Sequence, residues 1–279
     1  MNFELYAFRF HFSAESHIHF PAGKASNVLR GALGLRLRQD EPIYASYFDP
    51  RLSSGPSGLR TPPRPFSFRA THLNGVSLQA GERFYVDMHF FDRQMAPVEV
   101  FRRALAQVAA EGIGPARGRA KLSEMLSLGD ANGLVSIPLE AGPEEVHSIR
   151  VRFLTPTELK SHGKTVHEAG FGPLFARARD RISTLSRLYG SGPLPVDFQS
   201  LGSRARLVTL VEANIHIEEI GRRSSRTGQE HPLGGIVGEV VYAGDLGEFL
   251  PCLRAAYWTG VGRHTVWGNG VIQTTVLAS

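Results

Sequence analysis

One unit of sequence occurs twice in this chain, once near the middle and once at the end. Residues 98–110 have apolar side chains at helical spacing and lead into a Gly-Ile-Gly motif at 112–114 and then basic residues. Residues 246–258 have the same character and lead into a Gly-Val-Gly motif at 260–262, further basic residues and a strand-like end. Because a repeat of domain size indicates duplication, the sequence predicts two domains of one fold.

The pattern on either side of each unit completes a βαββαβ order. In the first half, the predicted elements are strand 2–12, helix 24–37, strands 66–72 and 76–91, helix 98–110 and strand 134–139. Asn74-Gly75 suits the type I′ turn of a hairpin between the two middle strands. In the second half, they are strand 149–154, helix 171–189, strands 205–217 and 238–242, helix 246–258 and a last strand. We therefore predict an α+β chain of two tandem ferredoxin-like domains, residues 1–146 and 147–279, with a C-terminal glycine-rich loop.

Glycine motifs of this kind indicate a site that binds an anion. Their backbone amides can approach a phosphate closely, and a second pair, Gly268 and Gly270, follows the first within the C-terminal segment. A dinucleotide fingerprint would need a strand before the glycines and a helix after them, whereas here a helix precedes and a strand follows. A phosphate-rich partner is therefore the first hypothesis, and an ordinary glycine-rich β-turn is the alternative.

The charge pattern agrees with such a partner. The chain of 279 residues has a formal net charge of +5, and its arginines are clustered, some of them beside the glycine motifs. The single cysteine, Cys252, lies among apolar residues and is interpreted as a small buried side chain. No apolar run is long enough to span a bilayer, so we expect a cytoplasmic protein without a membrane partner.

Four segments together resemble a known family. They are a GVGRHTVWGNG loop at 260–270, a KASNVLRGA segment at 24–32, a stretch that begins with Arg223-Ser and ends in PLGGIVG at 232–238, and the tandem fold itself. The chain is similar to the repeat-processing endoribonucleases of the RAMP superfamily of CRISPR systems. This resemblance implies repeat RNA as partner, bound in a basic cleft formed by the two domains, and other CRISPR effector subunits as further candidates. It also implies a metal-independent cut that leaves a 2′,3′-cyclic phosphate and a 5′-hydroxyl.

Cleavage of RNA without a metal needs a base for the 2′-hydroxyl, an acid for the leaving oxygen and cations for the charge that develops on phosphorus. We choose His19 and Lys24 as catalytic candidates, with Tyr44 in reserve. No histidine occurs between Lys24 and Arg69, where many family members have one, so the identity of the base stays open. No Cys pair or HExxH motif is present, and we expect neither a metal nor a cofactor.

Basic residues and glycines near the motifs are the predicted contacts to the RNA backbone. Trp267 could stack on a base or pack beneath its loop, and His162, His167 and His231 are weaker candidates. The full set is Arg30, Arg117, Arg119, Arg222, Arg223, Arg226, Gly260, Gly262, Arg263, His264, Gly268 and Gly270.

Two other functions fit the sequence. A catalytically silent RAMP subunit would bind guide RNA within an effector complex without cutting it, as the missing histidine suggests. A phosphate enzyme for small molecules on the same scaffold would show no salt-dependent affinity for RNA.

Overall fold

The structure is a computed structural model of the 279-residue chain. It describes residues 1–51, 62–93, 97–143, 145–161, 164–166, 168–219, 221–223, 230–232 and 234–278. For residues 160–161, 164–166, 221–223 and 230–232, only the backbone is considered. The chain divides into two compact units, one of residues Glu4–Ser136 and one of Met1–Phe3 with Ile137–Ser279.

The N-terminal unit contains seven strands and three α-helices in its described residues. They are β1 (Asn2–Ala14), β2 (Ile18–His19), α1 (Ala25–Leu37), α2 (Glu41–Tyr47), β3 (Phe66–Arg69), β4 (Ser77–Leu78), β5 (Arg83–Phe90), α3 (Val98–Glu111), β6 (Ala120–Ser127) and β7 (Leu134–Pro138).

The main sheet of this unit has the order β3-β5-β1-β6, and β7 also pairs with β1. The β5–β1, β1–β6 and β3–β5 pairs are antiparallel, and α1 packs against α3. Strand β1 alternates buried and less buried residues along most of its length, as its sequence predicts. The order of strands and helices is that of a ferredoxin-like fold.

Aromatic rings fill the core beneath this sheet. Phe101 of α3 lies edge-on to three rings, with centroid separations of 5.4 Å to Tyr47, 5.6 Å to Phe66 and 5.1 Å to Phe90. All of these side chains are buried. Aromatic pairs at such distances stabilise a core by more than the burial of their apolar area alone. These contacts therefore hold α2 and α3 against the sheet.

The two strands of the predicted hairpin pair, but the turn that we predicted between them is wrong. Strands β3 and β5 pair in the register Phe66 with Phe90 and Arg69 with Asp87, so a long connection rather than two residues joins them. Asn74 has φ −62° and ψ 121°, and Gly75 has φ 75°, which are the angles of a type II turn. The amide of Val76 closes this turn on the carbonyl of Leu73 at 3.1 Å. The Asn-Gly pair therefore turns a side loop and not the hairpin.

The C-terminal unit repeats the architecture. Its elements are β8 (Ser148–Thr157), β9 (Leu159–Ser161), β10 (Lys164–Val166), α4 (Phe171–Tyr189), α5 (Phe198–Ala205), β11 (Thr209–Glu218), β12 (Gly221–Arg223), β13 (Glu230–Pro232), β14 (Gly235–Ala243), α6 (Leu250–Thr259) and β15 (Ile272–Val276).

The main sheet of this unit has the order β11-β14-β8-β15, which is again the ferredoxin-like order, and every pair is antiparallel. Helix α4 packs against α6, and the tandem ferredoxin-like prediction is confirmed. The predicted strand over 205–217 is too long at its start, because Asp197 caps helix α5 through the amides of Gln199 and Ser200. The strand begins only at Thr209.

Tyr242 and Cys252 are buried in the core of the C-terminal unit. The Tyr242 hydroxyl donates to the carbonyl of Ala169, and its ring lies 5.1 Å from that of Phe171. Burial raises the pKa of the Cys252 thiol to about 11. The prediction that Cys252 is a small buried side chain is therefore confirmed. Among the helices that the structure describes, none is both long enough and apolar enough to cross a membrane.

Two glycines of helix α1 provide a matched test of this packing. A Cβ at Gly31 would meet no atom within 4 Å, whereas one at Gly34 would lie 2.9 Å from the Phe48 ring. We expect Gly31→Ala to raise the free energy of unfolding by about 0.5–1 kcal/mol through helix propensity. We expect Gly34→Ala to lower it by about 1–3 kcal/mol, because the buried ring has little room to move. Urea unfolding of both variants measures this, and equal shifts in the same direction would contradict it.

Candidate functional site

The first glycine motif forms a tight turn after α3. Ile113 and Gly118 form an antiparallel bridge, with Ile113 N donating to Gly118 O at 2.8 Å and Gly118 N to Ile113 O at 3.1 Å. Arg117 lies within this turn, is exposed, and donates through Nη2 to the carbonyl of Glu111 at 3.0 Å. The turn thus presents a guanidinium at the end of the helix.

This turn packs directly on the backbone that follows β1. A Cβ at Gly118 would lie 2.1 Å from the carbonyl oxygen of His17, and one at Gly114 would lie 2.9 Å from that of His19. The amides of Glu15 and Ser16 donate to the carbonyl of Arg119 at 2.8 and 3.2 Å. The fold therefore brings together three of the predicted residues, His19, Arg117 and Arg119, which we call the N-terminal basic cluster.

His19 has one defined partner in this cluster. Its Nδ1 lies 2.9 Å from Ser77 Oγ, and the two residues are paired across β2 and β4. His17 and His19 are exposed while Ile18 is buried, as expected for successive residues of a strand. The hydroxyl of Ser77 holds the imidazole ring in one orientation with its other nitrogen, Nε2, directed away from this contact.

Lys24 and Tyr44 lie near opposite ends of helix α1. Lys24 is exposed and directly precedes the helix, and its carbonyl accepts the first helical hydrogen bond, from Val28 at 2.9 Å. Tyr44 lies on α2, half-buried, with its hydroxyl 3.4 Å from Nε of Arg38 and its ring stacked on Phe48. Arg30 lies between them along α1, with its guanidinium 5.5 Å from the Phe48 ring centre.

The second glycine motif lies in the C-terminal unit, within residues 260–271, which we call the terminal loop. Many of its amides donate within the protein. Val261 N donates to Gly270 O at 2.8 Å, and Gly270 N donates to the carbonyl of Pro156 at 3.0 Å. A Cβ at Gly262, where φ is 79°, would lie 2.2 Å from the carbonyl oxygen of Glu158. These glycines are therefore needed for close packing of the loop on the end of β8, and their part in RNA binding stays a prediction.

The basic side chains of the terminal loop face one acid. Arg263 Nη1 lies 3.3 Å from Oε1 of Glu158, and His264 Nε2 lies 3.5 Å from its Oε2. The imidazole of His264 also stacks on the indole of Trp267, with 4.8 Å between centroids and 11° between planes. Trp267 thus packs against a residue of its own loop, and its stacking on a base stays a prediction.

Two basic residues have unusual backbone angles. Arg117 has φ 51° and His264 has φ 62°, and among the described residues these are the non-glycine positions with positive φ. Left-handed backbone costs an ordinary residue about 1–2 kcal/mol, and such strain concentrates at functional sites. Each glycine turn therefore has one basic residue whose backbone is strained.

One further histidine, His72, is part of the packing, and some of the predicted residues lie outside those that the structure describes. His72 stacks on Tyr85 at 4.1 Å, and burial lowers the pKa of its imidazole. His162, His167 and Arg226 lie outside the described residues, and no side chain is described for Arg222, Arg223 and His231. Within the described ranges, no three His, Cys, Asp or Glu side chains are grouped so as to hold a metal ion.

Two residues of the site were missed from the sequence. Ser77 and Glu158 are each far along the chain from the residues that they contact, and neither belongs to a motif. A period-two pattern can predict the face on which a side chain lies, but it cannot predict the partner across a sheet or a turn.

Both units of the chain match known protein families. Residues 151–272 match the family model for CRISPR-associated endoribonuclease Cas6, and residues 3–150 match a model described as an N-terminal domain. The Cas6 match covers the second of two tandem ferredoxin-like domains, including the glycine-rich segment after its last helix. This match places the C-terminal domain of the chain in the Cas6 family. A search of curated protein sequences found no match.

Solved structures support the fold. A Cas6 product complex is 18% identical, with 98% of this chain and 99% of that chain covered and a TM-score of 0.60. Thermus thermophilus Cas6 is 15% identical, with 97% and 98% covered and a TM-score of 0.61. A partial Cas6-RT-Cas1–Cas2 complex is 12% identical, with 99% of this chain and 46% of that chain covered and a TM-score of 0.62. At these identities, the likeness establishes the fold.

The close contact under the terminal loop can be tested with two glycines of similar φ. A Cβ at Gly262 (φ 79°) would abut the Glu158 carbonyl, whereas a Cβ at Gly75 (φ 75°) would meet no atom within 4 Å. Both alanine variants incur about 1–2 kcal/mol of backbone strain. We expect Gly262→Ala to lower the free energy of unfolding by at least about 1 kcal/mol more, because its methyl group displaces the loop from β8. Urea unfolding measures both, and equal losses would show that this contact is not tight.

Proposed function

We propose that this protein cuts precursor CRISPR RNA within its repeats, without a metal ion, by attack of a ribose 2′-oxygen on the adjacent phosphate. The products are a 2′,3′-cyclic phosphate and a 5′-hydroxyl. The observation that carries the proposal is the match of residues 151–272 to the Cas6 endoribonuclease family, because this range includes the whole basic part of the terminal loop. We place the activity in the cytoplasm.

His19 is the proposed general base. Its Nδ1 is held by Ser77, so Nε2 is the atom that takes the proton of the 2′-hydroxyl. Lys24, which is exposed just before α1, is proposed to neutralise the charge that develops on the phosphate. Tyr44, whose hydroxyl lies beside Arg38, is the reserve candidate for donating a proton to the leaving 5′-oxygen.

The RNA backbone is proposed to contact the basic groups of both units. In the N-terminal unit, these are Arg30 and the exposed Arg117 and Arg119. In the C-terminal unit, they are Arg263, His264 and the arginines of β12 and its following segment. A folded RNA repeat shows a deep, narrow major groove, so contacts to phosphates and 2′-hydroxyls fit these side chains better than reading of paired bases.

Three solved relatives indicate partners for this chain. One is a Cas6 product complex and another is a Cas6 substrate mimic complex, which supports repeat RNA as the ligand here. The third is a Cas6-RT-Cas1–Cas2 complex. On that likeness, we propose other CRISPR proteins as further partners.

A catalytically inactive RNA-binding subunit of an effector complex is the second candidate. The observation in its favour is that no histidine occurs between Lys24 and Arg69, a range that includes all of α1 and α2. Such a subunit would bind repeat RNA tightly and leave it intact at every pH. The same assay therefore separates the two functions.

The first functional prediction concerns metal and the 2′-hydroxyl. Repeat RNA from the neighbouring CRISPR array, incubated with the protein in excess EDTA, is expected to be cut once per repeat. A single 2′-deoxy substitution at the mapped position removes the nucleophile and should abolish the cut. Product ends are mapped by sensitivity to phosphatase and kinase. Binding without cleavage would favour the inactive subunit, and cleavage that requires Mg²⁺ would contradict the proposed chemistry.

The second functional prediction concerns the base. His19→Ala is expected to lower the single-turnover cleavage rate by about 10²–10⁴-fold, the usual contribution of a positioned general base, with little change in RNA affinity. His17→Ala removes an exposed imidazole two residues away and should keep the rate within about threefold, since only its backbone contacts the glycine turn. Equal rates in the two variants would transfer the role of base to another residue.

A further inference from the structure

Glu158 lies between β8 and β9, directly against the terminal loop of the same unit. Its side chain is only 12% exposed. Each carboxylate oxygen faces a different basic group of the loop, Arg263 at 3.3 Å and His264 at 3.5 Å. One acid therefore contacts both of the loop side chains that are proposed to bind RNA.

The backbone keeps this acid in place. The carbonyl of Glu158 accepts the amide of Arg263 at 3.4 Å, and it leaves no room for any side chain at Gly262. This hydrogen bond and this close contact hold the loop beside Glu158, so its carboxylate lies next to the basic side chains. Arg263 is 55% exposed, so its guanidinium can still reach an anion in solvent.

A carboxylate and a phosphate use the same donors. Both accept charge-assisted hydrogen bonds from a guanidinium and an imidazole through oxygens of one group. An incoming phosphate must therefore displace Glu158 or share its two partners at the expense of repulsion between like charges. Either event weakens the binding of any anion to the loop.

We infer that Glu158 competes with phosphate for Arg263 and His264 and thereby lowers the affinity of the terminal loop for polyanions. This inference rests on the proposed function where the polyanion is RNA. Its role is to limit non-specific binding, because a ligand must make several other phosphate contacts to overcome the competition. Glu158 is a positioning residue and has no part in the chemical step.

The test compares the wild-type protein with Glu158→Gln, which removes the charge and keeps the size. The two probes are a fully 2′-O-methylated repeat RNA, which cannot be cut, and inorganic tripolyphosphate, which is not RNA. We expect Glu158→Gln to bind both about three- to tenfold more tightly at low salt, as one freed cation allows. The slope of log K against log salt for RNA should steepen by about 0.7–0.9, the value for one added phosphate contact.

Glu239→Gln is the matched control. Glu239 also faces two arginines of the same unit, at 3.8 Å from Arg150 and 3.3 Å from Arg152, but on the sheet rather than at the loop. Glu239→Gln should change the affinity for the RNA and for tripolyphosphate by less than about twofold, since the loss of one negative charge away from the loop has only a small screened effect. In a protein that already has Arg263→Ala and His264→Ala, Glu158→Gln should bring no gain.

Each outcome decides the inference. Glu158→Gln with unchanged or weaker binding to both probes overturns it, as does an equal gain from Glu239→Gln or failure of tripolyphosphate to bind any variant. If the wild-type protein binds tripolyphosphate but does not bind repeat RNA, the proposed function is refuted. The change in tripolyphosphate affinity caused by Glu158→Gln then decides the inference by itself. If thermal melting shows that Glu158→Gln is misfolded, Glu158→Asp withdraws the carboxylate from the loop, and a smaller gain in affinity is expected.

Discussion

Both units depend on one backbone contact, in which the glycine turn after the last helix of the unit packs on the segment that follows its first long strand, β1 or β8. In the N-terminal unit, Gly118 lies over the carbonyl of His17, and in the C-terminal unit Gly262 lies over that of Glu158, with room for hydrogen alone. A methyl group at either position would overlap the oxygen. The contact ties the end of α3 to the end of β1, and the end of α6 to the end of β8.

This contact also places the charged groups. Because Gly114 and Gly118 sit on the His17–His19 backbone, the guanidiniums of Arg117 and Arg119 and the imidazole of His19 come from one small region. In the terminal loop, the same packing puts an acid beside Arg263 and His264. The N-terminal basic cluster has Ser77 as a neutral partner of its histidine, whereas the terminal loop has Glu158 as a charged one. The two turns thus share a backbone design and differ in electrostatics.

The pattern of the sequence predicted most of the fold, but it placed the fourth strand of the N-terminal unit at 134–139, whereas β6 has that place in the main sheet. Alternation along β1 and the helical spacing in α3 were sufficient to predict these elements, because burial on one face imposes the period. Asn74-Gly75 was misread because a type II turn and a type I′ turn both accept glycine at the third position, and only the strand register distinguishes them. Helix α5 was missed because its eight residues are too few to show a clear helical period after the cap at Asp197.

By itself, the sequence determined the duplication, the ferredoxin-like order and the identity of the basic residues, since periodicity and composition are local properties of the chain. Only the tertiary structure decided which of those residues meet. Ser77 reaches His19 across 58 positions and Glu158 reaches Arg263 across 105 positions. Such contacts arise from strand register and from the close approach of glycine to backbone, which depend on distances in space that no local pattern contains.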